Sequence, residues 1–127
     1  AASHLKAGGL FIFDCWYGPA VLSDRPSVRL KRMQGDTFDI LRIAEPVMHP
    51  NENVVDVNYT VQVTRKSDGQ VTQFQETHRM RYLFAPELLL FLELSGLRHI
   101  LMVEWLTGKA IGFDTWGATF VAVKDNK

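Results

Sequence analysis

The sequence has almost no cysteine: Cys15 is the only one among 127 residues. A lone thiol forms no internal disulfide, which excludes the stapled frameworks of small secreted domains. No apolar run reaches the roughly 18 residues of a membrane span, and no signal peptide is visible. Neither sign of charge is in excess, since 14 Lys and Arg face 14 Asp and Glu. That balance leaves no footprint for nucleic acid or an anionic membrane. There is no G-x-G-x-x-G string, no internal repeat and no low-complexity tract. Ser3, Ser23, Ser27, Ser67 and Ser95 lack an acid–histidine pattern, and Cys15 has no partner in the sequence. No self-contained nucleophilic enzyme is therefore expected. A reducing, cytoplasmic location follows as the default.

What is present supports an ordinary globular domain. The hydrophobic fraction is 46% and the charged fraction 22%, enough to bury a core. Residues 1–9 read as the end of a helix and a glycine step into a strand. Residues 10–16, LFIFDCW, begin with four consecutive apolar residues. That run predicts a strand covered on both faces, as in a parallel sheet, and broken by Gly18 and Pro19.

The middle of the chain changes character. Strands are predicted over 27–33 and 37–43, around a turn at Gln34, Gly35 and Asp36. Residues 45–53, with two prolines, read as a connecting loop. Over 54–64, Val55, Val57, Tyr59, Val61 and Val63 alternate with polar residues, the period of a strand with one buried face. Asp68-Gly69 is a turn signal, and 71–83 returns as a second long strand. It places Phe74, Glu76, His78, Met80 and Tyr82 on one face. Residues 27–83 thus read as a four-stranded antiparallel meander.

Residues 85–95 are predicted helical. Pro86 and Glu87 suit the first turn and Gly96 the C-terminal cap, and an interior apolar nearly all round predicts burial on more than one side. A strand over 98–106, a glycine-rich loop over 107–117 and a last strand over 118–124 complete the chain. Nothing in this chain easily covers both faces of the first strand. It wants helices or strands from elsewhere.

Several of these segments resemble one family. Leu5-Lys6-Ala7-Gly8-Gly9 before LFIF is similar to the L-K-P-G-G step into the fifth strand of class I S-adenosylmethionine-dependent methyltransferases. Ser95-Gly96-Leu97 resembles their step into the sixth strand, and ATFVAVK their antiparallel seventh. FDCWYGP, THRMRYLF and GATFVAV are most similar to the nucleotide-sugar N-methyltransferases. The resemblance spans almost the whole chain.

It implies an α+β fold in which a four-stranded antiparallel meander is inserted into the C-terminal remnant of a class I methyltransferase sheet. That remnant comprises strands five to seven and the last helix. Residues 1–18 and 84–127 would form the remnant. Residues 19–83 would form the inserted sheet, serving substrate binding and homodimer formation. The cofactor S-adenosylmethionine would belong to the full-length protein. Its glycine-rich loop and acidic residue are expected upstream of Ala1, as is the catalytic base, so this segment alone would be inactive. The acceptor would be a small molecule, with a nucleotide-linked amino sugar the nearest case.

Five residues are the expected substrate contacts. Trp16 and Tyr17 match an aromatic pair that lines the sugar pocket in the family, and they end a strand where α/β sheets bind ligands. The resemblance also places a histidine at His78. Trp105 and Trp116 flank the glycine-rich loop, and large aromatics are costly to expose there. Trp116 falls at or near the position of the family's diphosphate-binding arginine. His49, Asn51, Glu52 and Asn53 form a polar stretch without a full metal-ligand set, better suited to touching substrate or a partner subunit. No catalytic, cofactor-binding or metal-binding residue is assigned within the chain. The rival expectation is a free-standing β-rich module binding a small ligand or a protein. It requires the first strand to be fully covered within the chain, whereas the methyltransferase reading requires an exposed apolar flank or a dimer that hides it.

Overall fold

The structure, a computed structural model, describes residues 1–125; the last two residues of the segment 84–127 lie outside the described residues. The fold is α+β; the described residues form seven strands, two short α-helices and two 3₁₀ turns. It divides into two compact units, one of Ala1–Arg25 and Arg81–Lys127, the other of Pro26–Met80.

The first unit is built on β1 (Leu10–Tyr17). Strand β7 (Gly117–Lys124) lies antiparallel to it from Leu10↔Val123 to Trp16↔Gly117. Strand β6 (Leu97–Glu104) is antiparallel to β7 on the far side, with an irregularity between His99 and Leu101. On its other edge β1 has a parallel partner only at Trp16↔Tyr82 and Tyr17↔Leu83, supplied by the end of β5 (Val71–Leu83). The sheet is therefore mixed. Helix α2 (Ala85–Leu94) has Pro86 and Glu87 in its first turn and is followed by Gly96 at φ +70°. Left-handed backbone there costs glycine little.

Two clusters fill this unit. Tyr17, Leu88, Ala118 and Phe120 are buried together, with Phe13, Cys15 and Met102 packed against them. Leu92, Leu97 and Ala122 form the second, closed by Leu5, Phe11 and Phe13. The rings of Phe11, Phe13 and Phe120 stack in succession, at 4.8 and 5.6 Å between centroids. Both clusters sit on the face of β1 that carries its odd-numbered side chains.

The opposite face is open, as expected of a first strand that nothing in this chain covers on both sides: Leu10 is 53% and Ile12 61% exposed. On α2 only Leu88 and Leu92 are buried, while Leu90, Phe91 and Leu94 are exposed. The expected burial of that helix on several sides does not occur within the chain. The reason is supply: α2 packs along one face of the sheet, and no other helix as long is present among the described residues. Gly18 and Pro19 do more than end a strand. They open helix α1 (Gly18–Ser23), where proline's fixed φ suits the first turn.

The second unit runs in the strand order β2-β3-β4-β5. Strand β2 (Arg29–Gln34) pairs antiparallel with β3 (Phe38–His49), and β3 with β4 (Val54–Arg65). Val55, Val57 and Val61 are buried, as the alternation predicts. The β4–β5 turn is closed by Arg65 N–H to Gln70 O at 2.8 Å and by the Asp68 carboxylate accepting from Gln70 N–H at 3.0 Å. The expected loop over 45–53 is mostly strand. Strand β3 continues through Pro46 to His49, and a single 3₁₀ turn, Pro50–Glu52, joins it to β4. Proline is tolerated because β2 pairing stops at Ala44, which leaves Pro46 beyond the end of β2. Among the described residues no helix is long and apolar enough to cross a membrane.

Candidate functional site

Three tryptophans converge where β1 ends, β6 ends and β7 begins. Register places Trp16 directly across from Gly117. Trp16 meets Trp116 edge to face, at 5.6 Å between ring centroids and 80° between planes. Trp105 lies just past the end of β6 and donates its backbone N–H to Gly117 O at 2.8 Å. Its side chain lies against Gly117, where an added Cβ would stand 3.4 Å from Trp105 Cβ. Tyr17 N–H donates to Trp116 O at 2.9 Å, which ties the strand end to the loop. Trp16 and Trp116 are half-buried and Trp105 is 52% exposed. Tyr17, the next residue after Trp16, points the other way and packs in the core against Leu88 and Phe120.

The loop above these rings has its own framework. Glu104 accepts from the Thr107 hydroxyl at 3.0 Å and from Gly108 N–H through its backbone oxygen at 3.1 Å. The buried Thr115 hydroxyl accepts from Gly112 N–H at 2.9 Å. Ser23 of α1 donates to Phe113 O at 3.2 Å. Leu106 holds a left-handed φ of 64° and, like Phe113, is largely exposed. Two large apolar side chains of this loop, Leu106 and Phe113, are thus left exposed while its backbone is held by hydrogen bonds.

Asp14 is exposed and shares the even-numbered face of β1 with Trp16, so it is the carboxylate of that strand beside the rings. The sequence reading overlooked it, although period two already puts residues 14 and 16 on one face. Cys15 points to the core side. Burial first, and then the Asp14 and Glu87 carboxylates, push its thiol up to about 11. It stays protonated near neutral pH and is no nucleophile there. Arg81 lies 3.5 Å from Glu87, with its guanidinium over the Phe91 ring.

His78 lies in the other unit. It is half-exposed on β5, 3.4 Å from Glu76, with its ring edge-on to Tyr59 at 5.0 Å. His49 and Glu52 of the polar stretch already have partners: the His49 ring is hydrogen-bonded to Asp56 at 2.8 Å, and Glu52 pairs with Arg79. Arg79 also reaches Asp56 at 3.5 Å. An open cleft of about 850 Å³ surrounds the start of β6 and the end of β7. Much of its polar lining is spent internally, since Arg98 pairs with Asp125 and Lys124 donates to the Ala2 and Leu5 carbonyls. The tryptophan end, where side chains are left facing outward, is the better candidate.

No protein-family profile matches the sequence. No curated protein matches it either. Solved structures do match its fold. A S-adenosylmethionine-dependent methyltransferase from Clostridium acetobutylicum superposes with a TM-score of 0.74 at 19% identity, over 98% of this chain and 48% of its own. DesVI from Streptomyces venezuelae gives 0.72 at 21% identity, over 96% of this chain and 47% of its own. The sugar N-methyltransferase KedS8 from a Streptoalloteichus species gives 0.72 at 16% identity, over 98% and 46%. The chain therefore has the fold of part of these enzymes, and it spans about half the length of the solved structures it matches.

Proposed function

We propose that this chain is the acceptor side of an S-adenosylmethionine-dependent methyltransferase that works on a small molecule, with an amino sugar linked to a nucleotide as the nearest substrate class. The observation that carries the reading is the state of β1. Residues 10–15 have no strand partner on the edge away from β7 among the described residues, and Leu10 and Ile12 on one face are exposed. A strand that apolar is stable in water only with more cover. The free-standing module required a covered first strand, so the same observation weighs against it. The likeness of nearly the whole chain to about half of each methyltransferase adds support.

In this reading the meander over 19–83 is an insertion in the methyltransferase sheet that serves substrate binding and carries the homodimer contact. Trp16, Trp105 and Trp116 form the wall against which the acceptor lies, with Tyr17 anchoring the strand end from the core. Asp14 accepts a hydrogen bond from the acceptor's amine or hydroxyl. Methyl transfer is an in-line displacement at the sulfonium carbon, so alignment of the acceptor supplies much of the acceleration, and a base takes the proton. S-adenosylmethionine would supply the methyl group from a site formed by residues outside this chain.

Isothermal titration with S-adenosylhomocysteine tests the reading on two proteins: this chain, and the chain extended upstream through its native coding sequence. Binding by the extended protein alone is expected. Absence of binding by both would remove the methyltransferase reading.

A further inference from the structure

The cleft at the opposite end of the first unit, around the start of β6 and the end of β7, encloses about 850 Å³. Its wall holds a group that the fold leaves unsatisfied. His99 lines the cleft, and its Nε2 is shut off from solvent with no hydrogen-bond partner among the described residues. A nitrogen in that position has lost its hydration and gained nothing in exchange. The Phe120 ring, tilted beside the imidazole at 6.4 Å between centroids, offers it neither donor nor acceptor.

The charges around the cleft are unevenly engaged. Arg98 is paired with Asp125 at 3.2 Å, and the Lys124 ammonium is held by the Ala2 and Leu5 carbonyls at 2.8 Å each. Glu93 also lines the cleft, yet it makes no ion pair among the described residues. It stands in the last turn of α2, where the helix dipole adds partial negative charge. Leu89 and the buried Leu97 supply apolar wall, and Ser3 and Ser95 supply hydroxyls. An incoming anion therefore meets two occupied cations and an unpaired carboxylate. A solvated surface carboxylate is the ordinary reading of Glu93, but it gives no account of the His99 nitrogen.

We propose that this cleft binds a small organic ammonium ion, with Glu93 as its counter-ion, Leu89 and Leu97 against its carbon skeleton, and His99 as a hydrogen-bond partner. An ammonium brings donors and no acceptor, which suits a carboxylate, a neutral imidazole nitrogen and serine oxygens together. Its charge is favoured again by the C-terminal pole of α2. The bond to Glu93 is charge-assisted, and it strengthens as the cleft excludes water from it. The site rests on the cleft alone and holds whether or not the chain transfers methyl groups.

Putrescine, 1,4-butanediol and succinate are probes of similar length that differ in charge, and they test the proposal on the 127-residue chain at low salt. Binding is read by calorimetric titration and by the nitrogen chemical shifts of the His99 imidazole. Putrescine is expected to bind about tenfold tighter than the diol, with succinate weaker than either, and to move the His99 shifts. Glu93→Gln should weaken putrescine binding about tenfold, and His99→Phe about threefold. Asp36→Asn, which removes an exposed carboxylate of the second unit, should change it less than about twofold. Glu93 is exposed, so its variant serves if His99→Phe fails to fold. The proposal is overturned if putrescine binds no better than the diol, if the His99 shifts stay fixed, or if Asp36→Asn weakens binding as much as Glu93→Gln. Loss of putrescine binding in the upstream-extended protein would also overturn it, because the added residues would then fill the cleft.

Discussion

Trp16 reaches Trp116 edge to face across the start of β7, with 5.6 Å between ring centroids. Neither ring is fully buried, so the pair is held by mutual contact and by the Tyr17 N–H to Trp116 O bond rather than by a surrounding core. An edge-to-face pair is worth about 0.5–1.5 kcal/mol beyond the area it buries. A double-mutant cycle of Trp16→Leu and Trp116→Leu, followed by urea unfolding, should give a coupling energy in that range. Simple additivity would mean that the two rings are independent surface groups.

Cys15 makes a prediction about alkaline pH. Its folded thiol is raised from 9.0 to about 11, chiefly by burial. Below pH 9 the thiol is protonated in both states and its contribution is fully present. Between pH 9 and about 11 the unfolded thiol ionises first, so that contribution is lost as pH rises. The urea midpoint should therefore fall more steeply from pH 9 to 10.5 in the parent than in Cys15→Ala. Modification by a thiol reagent at pH 8 should be slow when folded and fast in urea. Equal rates would contradict the burial.

Gly18 is pressed against Phe84. A Cβ at Gly18 would enter the Phe84 ring, which is itself packed edge-on against the buried Tyr82. Gly18→Ala should cost about 1–3 kcal/mol through overpacking, against the small gain alanine usually brings to a helix. Gly18→Ala with Phe84→Leu should recover part of the loss. A neutral single variant in thermal melting would show that the ring moves freely.

Asp56 is shared by the His49 ring at 2.8 Å and the Arg79 guanidinium at 3.5 Å, and its side chain is only 19% exposed. Asp56→Asn should lower stability by about 1–2 kcal/mol, because a charge-assisted hydrogen bond to a half-buried group is lost. Glu52→Gln, removing a well-exposed partner of Arg79, should cost less than about 1 kcal/mol. The ranking, read from chemical unfolding, is the check. Equal losses would place Asp56 among ordinary surface pairs.

Ile12 offers a direct probe of the open flank. Ile12→Ser should shift the urea midpoint of this chain little, within about 0.5 kcal/mol, since the side chain is 61% exposed. In the upstream-extended protein the same change should cost about 2 kcal/mol or more if the flank becomes buried. Equal small effects in both would count against the proposed completion of β1.

Much of the fold was legible because local pattern and burial agree. The alternation over 54–64 reports one buried face whatever lies beyond it, and β4 follows. Proline, glutamate and glycine mark α2 from both ends. The misreadings share a cause. Pro46 looks like a strand breaker until β2 is seen to end at Ala44, which only pairing reveals. The apolar interior of α2 describes what the helix can bury and says nothing of whether this chain supplies the cover. Among the site residues, Trp16 and Tyr17 look equivalent in sequence, yet they take opposite faces, one at the aromatic cluster and one in the core.

By itself, the sequence determined the identity and order of most elements, because period, turn chemistry and helix caps act over a few neighbouring residues. It also carried a family resemblance across nearly the whole chain. Only the tertiary structure decided that Trp16 and Trp116 meet with Trp105 against the neighbouring Gly117, that His49 and Arg79 share Asp56, and that β5 pairs with β1 only at its last two residues. Those are facts of register and packing between distant segments. They depend on which strands pair and what remains to cover them, and no local window of residues encodes that.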